Sequence, residues 1–298
     1  METISAVKFA TLHNNKTIFY SHIYCIEQVF NKINSLNHEV ILITGSGDIP
    51  VSDFTAPKNV RYWFAQNSLV RHDKVIPIPI GIRDSFPFYF GDQCPIVSGS
   101  GFHCGEISEK IVTEIYLKDE TVPENFLYAN FNLNSNFIYR SFLKNICDEC
   151  DFISYETPVE DDNGYENYYS NIVNHQANFC PAGNGIDTHR IWETLYCKRI
   201  PITINCNHRY QKISQRIPTA SQYIPQQETD YSIYTKLYSK LPIIVLNSYE
   251  ELSDKKYLQE LILSKKNQEY NLDLLDFNYW KNLILNLENL LEKDNDRI

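Results

Sequence analysis

Between Cys180 and Ile204 the chain reads CPAGNGIDTHRIWETLYCKRIPITI, and nowhere else are Asp, His, Arg, Asn and Glu so tightly set between glycines and an apolar run. Pro181, Gly183, Asn184 and Gly185 turn the chain and let its backbone approach a ligand closely. Asp187 is placed to cap a helix over residues 188–197, whose buried stripe would be Ile191 and Leu195. A helix start with Thr188 and His189 offers backbone N–H groups and a dipole to an anion such as phosphate. Arg190 in the first turn could grip phosphate oxygens with its planar fork. Glu193, three positions on, shares its face and could accept hydrogen bonds from sugar hydroxyls. An anionic Asp187 would repel phosphate, so it either caps the helix or bonds a sugar hydroxyl, and His189 could donate to phosphate or to a sugar oxygen. The same residues also fit an ordinary turn, a surface Arg190–Glu193 pair and a solvated His189.

These side chains need a sheet to hold them. Residues 200–204 have the β-branched density of an interior parallel strand. Upstream, residues 18–36 fit an amphipathic helix through Ile26, Phe30 and Ile33, and residues 39–44 fit a strand running into Gly45-Ser-Gly-Asp48. Residues 60–64 and 75–80 read as further strands, followed by loops bearing Gln66, Asn67 and Gly81. Residues 86–118, rich in glycine and proline, read as loops with short elements. A second unit follows: strand 126–131, helix 137–150 with Ile138, Phe142 and Ile146 aligned, strand 152–155, a solvated acidic loop at 160–164 and helix 168–176. It closes with strand 241–246, helix 250–265, and a last helix capped by Asp276 with Leu283, Leu287 and Leu291 inward. Alternating strands and helices imply parallel sheets covered on both faces, with ligands at the carboxyl ends of the strands. The divisions expected are 1–122, an acceptor-side domain; 123–275, a donor-binding domain; and 276–298, a C-terminal helix packing back on the body.

Composition narrows the function classes. The chain has 298 residues, 43% hydrophobic and 21% charged, with a net charge of −10 and no Lys/Arg-rich run. That argues against a nucleic-acid partner, which wants a basic face, but not against a phosphate-bearing small molecule. No apolar window reaches membrane-span length and the first residues lack a secretory pattern. The eight cysteines therefore read as reduced cytosolic thiols, and the expected location is cytoplasmic. The lone Cys147-Asp-Glu-Cys150 has no second pair and carries little metal signal. No G-x-S-x-G is present, and Ser98-Gly-Ser-Gly101 has the wrong spacing for that hydrolase motif.

From Gly183 to Tyr196, followed by Ile200-Pro-Ile202, the sequence resembles the donor-binding motif of exostosin-like glycosyltransferases, and more distantly that of the α1,3-fucosyltransferases through Gly185 to Arg190 with Trp192. Tyr128 to Asn132 followed by Arg140 looks like the strand and helix that open the nucleotide-binding half of such enzymes. Leu42 to Pro50, Trp63 to Asn67 and Ile78 to Ile82 are similar to their acceptor half. One departure is Ala182, where the family often has arginine.

The resemblance implies an α/β fold of GT-B type, with two Rossmann-like αβα domains whose parallel sheets face a central cleft. It implies transfer of a sugar from a nucleotide-diphosphate-sugar donor to a hydroxyl of a glycan or glycolipid, with inversion, no cofactor and no metal. Arg140, Asn132, Gly183, Asn184, Gly185, Asp187, Thr188, His189, Arg190 and Glu193 are the donor-side candidates, and Gln66, Asn67 and Gly81 lie on the acceptor side. Asp48, a carboxylate after a strand and a small-residue turn, is the candidate general base, ahead of His13 and Asp73; a turn aspartate bonding its own backbone is the plainer alternative. Two rival readings stand beside this one: a non-catalytic glycan-binding scaffold on the same fold, and a metal-dependent GT-A transferase, which would need an acidic pair at a strand end. The acceptor, sugar, base of the nucleotide and oligomeric state are not legible.

Overall fold

The computed structural model describes residues 1–47, 51, 56–68, 72–83, 102–118, 120–159, 161–183, 185–205 and 232–295. Asp48 and Asn184 lie outside the described residues, as do the Ser98 to Gly101 segment and residues 206–231.

Among the described residues the chain builds two all-parallel sheets. The first takes β1 (Ile18–His22), β2 (Val40–Gly45), β3 (Val60–Ala65) and β4 (Val75–Pro77) in that spatial order. Its helices are α1 (Ala6–Ala10) and α2 (Ile26–Asn34). After α3 (Phe102–Lys118) the second sheet uses β5 (Asn125–Asn130), β6 (Ile153–Glu156), β7 (His175–Phe179), β8 (Ile200–Ile204) and β9 (Ile244–Leu246), in the order β6-β5-β7-β8-β9. Between them run α4 (Phe137–Glu149), α5 (Asp162–Asn174), α6 (His189–Tyr196) and α7 (Ser232–Tyr238). The chain closes with α8 (Glu250–Ser253), α9 (Lys255–Lys266) and α10 (Phe277–Asn295). This is the α/β class with two parallel sheets that the strand-helix alternation predicts.

Several elements differ from expectation. Residues 18–36 are not one helix: β1 occupies the first five, all buried, and the helix begins at Ile26. Ile18, Phe19 and Tyr20 are β-favouring residues buried on both faces of a sheet, and the helical spacing that starts at Ile26 does not reach back to them. Residues 102–118 are a helix rather than loops, in spite of Gly105. The helix expected at 168–176 is α5, which starts at Asp162 because Asp161 caps it, Oδ1 accepting from Gly164 N at 2.7 Å. It stops in time for β7, a strand the sequence reading lacks. Expected strand 75–80 keeps only three ladder residues, since Pro77 and Pro79 cannot donate. Asp254 splits the helix expected at 250–265, accepting from Tyr257 N.

In α4 the inward face is Tyr139, Leu143 and Cys147, one position round from the stripe expected; Phe142 is 47% exposed. Asp276 does cap α10, its Oδ1 accepting from Asn278 N at 3.0 Å. Leu291 is buried there, with Leu283 and Leu287 partly so, but Trp280 and Ile284 supply most of the inward face. Helix α10 lies against the first sheet: Phe277 N donates to Glu2 O at 2.9 Å, its ring meets Phe9 edge-on, and Asn295 brackets Glu39 through both its N–H and its carbonyl. One apolar cluster runs through Ile4, Phe64 and Ile80 of the first half to Trp192, Tyr196, Tyr238 and Trp280.

Not every cysteine is a thiol. Cys147, Cys150, Cys180 and Cys197 are, but Cys25 is disulfide-bonded. Cys25 thus departs from the expectation that all eight cysteines are reduced thiols. No helix among the described residues is long and apolar enough to cross a membrane.

Candidate active site

In the second sheet the chain leaves β5 to one side for β6 and then returns to lay β7 on the other side. Strand order reverses there, and in open parallel sheets of this kind ligands bind at the carboxyl edge of such a switch point. The loop after β7 is the glycine-bearing stretch that leads into α6. Three faces of it are now visible: a buried hub at Asp187, a seam to the first sheet, and an open cleft beside α6.

Asp187 does not cap α6. Thr188 holds the N-cap position, with no side-chain bond, and Asp187 turns inward, 3% exposed. Its Oδ2 accepts from Ile80 N at 2.9 Å and its Oδ1 from Tyr238 hydroxyl at 2.7 Å and from Thr188 N at 3.0 Å. Trp192 Nε1 lies 2.9 and 2.8 Å from the two oxygens. Burial pushes the carboxyl up to about 6, against the pull of the bonds from Ile80, Tyr238 and Trp192. So enclosed, Asp187 is unsuited to meeting a sugar hydroxyl, and both roles expected of it are corrected to a structural one.

The seam is built from the residues expected on the acceptor side. Asn67, in the left-handed region at φ 51, receives Asp187 N on its Oδ1 at 2.9 Å and donates from Nδ2 to Gly47 O at 3.0 Å. A side chain on Gly185 would place its Cβ 2.7 Å from that Oδ1, so the close approach requires glycine. Gln66 is buried within the first half, accepting from Ser46 N and donating to Pro79 O. Gly81 has φ +74, with its carbonyl 2.9 Å from His189 Nδ1. A carbonyl only accepts, so Nδ1 carries the proton. His189 thus ties the halves together at this nitrogen.

Beside α6 lies a shallow cleft open to solvent, lined by Arg83, Asn130, Tyr165, Tyr168, Arg190 and Glu193, with Pro158, Val159 and Gly164 at the 158–164 turn. Arg190 is partly exposed and donates from Nε to Asn130 O at the end of β5, which fixes the direction of its fork. Glu193 is 3% exposed and accepts from Tyr168 hydroxyl at 2.9 Å. Burial first, then Glu193, hold the Tyr168 hydroxyl well above its ordinary range, so it stays a donor. Arg83 crosses from the end of the first sheet, its Nη1 2.6 Å from Tyr165 hydroxyl and its guanidinium 5.5 Å from the ring centroid. Burial opposes its charge, but Glu193 and the surrounding tyrosines outweigh this and hold it protonated.

Arg140 has a different task from the one expected. It is 3% exposed, and it donates to Ala182 O at 3.2 Å, Asn132 O at 2.8 Å and Pro181 O at 3.2 Å. It clamps the loop after β5 to the loop after β7, with Asn136 Nδ2 adding a bond to Gly183 O at 3.3 Å. Asn132 itself closes a local turn, accepting from Asn134 N. Of the expected donor residues, Arg190 and Glu193 line the cleft; His189 and Gly185 lie on the seam to the first sheet, Gly183 faces Arg140 and Asn136, and Asp187 and Arg140 are buried on other partners. Arg83, Asn130, Tyr165 and Tyr168 were missed. Arg83 carried one legible signal, a cation directly after a strand and a glycine turn; the tyrosines were indistinguishable among 21.

No protein-family model matches this chain, and no curated protein sequence matches it. Among solved structures it is similar to one described as a crystal structure of α1,3-fucosyltransferase, at 15% identity over 89% of this chain and 86% of that one, with a TM-score of 0.37. A second, described as α1,3-fucosyltransferase with GDP-fucose, is 14% identical over 78% of this chain and 79% of that one, with a TM-score of 0.31.

Proposed function

We propose that the chain is a glycosyltransferase of GT-B type that moves a sugar from a nucleotide-diphosphate donor to a hydroxyl of a glycan or glycolipid. The observation that carries this reading is the pairing of Arg190 with buried Glu193 in one cleft at the switch point of a parallel sheet. That is where such sheets take their ligands, and it falls within the stretch that resembles the donor motif of exostosin-like and fucosyltransferase enzymes.

In this reading Arg190 and the start of α6 neutralise the diphosphate, and Glu193 accepts from ribose hydroxyls. The acceptor hydroxyl attacks the anomeric carbon from the face opposite the diphosphate. The carbon–oxygen bond to the diphosphate breaks with inversion, and the acceptor's proton passes to a base. Asp48 is our candidate for that base. Its neighbour Gly47 is held by Asn67, on the same seam that carries Asp187. Arg140 serves as the clamp that keeps the two donor loops in register. Cationic side chains and a helix terminus take the place of a metal ion.

The test is thermal shift against UDP, GDP and CDP sugars. A matching donor near 100 times its Kd should raise Tm by about 5 °C. In Arg190→Ala that shift and the turnover should vanish while the unliganded Tm holds. Turnover should survive a chelator; a requirement for Mn²⁺ would favour the GT-A reading. Absence of any stabilising nucleotide sugar would sink the proposal and favour a non-catalytic scaffold.

A further inference from the structure

Arg83 belongs by sequence to the first half, yet its guanidinium lines the cleft of the second. The segment that delivers it is pinned residue by residue: Ile80 N to Asp187, Gly81 O to His189, and Ile82 N to Ile4 O at 2.8 Å. Tyr165, buried in the first turn of α5, then receives the guanidinium on its hydroxyl and beneath its ring. So much positioning is more than a surface arginine needs. The charge balance points the same way. Among the described residues that line the cleft, Arg83 and Arg190 face one carboxylate, Glu193, in a chain whose net charge is −10. The Tyr165 bond occupies one edge of a planar fork, and the fork suits the oxygens of a phosphate.

We propose that Arg83 is a second anion-gripping residue of this cleft, reaching across from the first half to bind the diphosphate of a ligand seated on the second; this rests on reading the cleft as a donor site. Ligand binding would thereby be coupled to the seam at Ile80 and Gly81, since the same short segment carries both.

The experiment is calorimetric titration of the wild type, Arg83→Ala, Arg83→Gln and Arg83→Lys with inorganic pyrophosphate, with UDP, GDP and CDP, and with the matching nucleosides. Loss of a charge-assisted contact should weaken pyrophosphate and nucleoside diphosphate binding about 10- to 100-fold in Ala and Gln. Nucleoside affinity should stay within about twofold, because an uncharged ligand gains little from a distant cation. Lys, which keeps the charge but not the fork, should recover part of the loss. If Ala does not fold by circular dichroism, Gln and Lys carry the comparison. Pyrophosphate binding that depends on Arg83, with no nucleoside diphosphate binding at all, would support this role and overturn the nucleotide-donor reading. Unchanged diphosphate and pyrophosphate affinity in Ala and Gln overturns the role, as does equal loss for nucleosides, or a wild type that binds neither anion.

Discussion

Burying a carboxylate is costly unless donors surround it, and Asp187 is surrounded by two backbone N–H groups, the Trp192 indole and the Tyr238 hydroxyl. Its carboxyl rises from an ordinary 3.8 to about 6 because of burial. Between those pH values the folded chain holds a proton that the unfolded chain has released. Stability should therefore fall as pH rises from about 4 to about 6, and level off above that. Asp187→Asn has no carboxyl to titrate, so urea midpoints measured across this window should lose that fall. The variant should also be less stable by about 1–3 kcal/mol at neutral pH, since the amide nitrogen faces donors. Parallel pH profiles for the two proteins would exclude Asp187 as the titrating group. At this scale the sequence suggested an aspartate that caps the helix or bonds a sugar hydroxyl; that its side chain turns inward instead depends on Ile80 and Tyr238, distant in the chain.

At the scale of elements, the turn after β4 is the most constrained piece. Gly81 sits at φ +74, and a Cβ there would lie 2.1 Å from Ile4 carbonyl oxygen. Gly81→Ala combines left-handed strain with a backbone clash that no rotamer relieves. We expect a loss of about 2 kcal/mol or more in urea unfolding, together with weaker binding of whatever occupies the cleft, since His189 and Arg83 hang on the same turn. A variant as stable as wild type would show that this turn can relax. The extents of β8 and α4 were read closely from sequence, β8 from its β-branched density and α4 from its helical spacing, though the inward face of α4 lies one position round from the one expected. Strands β1 and β7 were lost because each abuts a helix without a glycine or proline between them, and helical spacing bled across the junction. Helix α3 was lost to its glycine and to loop-like residues before it.

At the scale of the molecule, the two sheets share one apolar cluster, which α10 completes by placing Trp280 and Ile284 beside residues of both halves. Trp280 also donates from its indole to Leu274 O at 3.1 Å. Trp280→Ala should cost about 3–5 kcal/mol. Because the cluster joins Ile41 and Ile43 of β2 to Tyr128 of β5, amide exchange should show protection in β2 and in β5 falling by similar amounts. Loss confined to one sheet would mean that the halves unfold separately, with the seam at Asn67 and Asp187 too weak to join them.

What the sequence determined by itself was the class of fold and the helix that carries Arg190 and Glu193. Both rest on local physics: apolar strands alternating with helices, and glycines before a helix that carries Arg190 and Glu193. Tertiary structure decided which side chains face the cleft. Arg140, Asp187 and Arg190 share a neighbourhood, but two of them saturate on buried backbone and indole donors or acceptors, and only Arg190 reaches the opening. Arg83 and Tyr165 enter from strand ends and turns far away in sequence, brought together by strand order and by the pinned turn at Gly81. Periodicity and spacing report a residue's own element; which distant element meets it is settled only when the sheets pack.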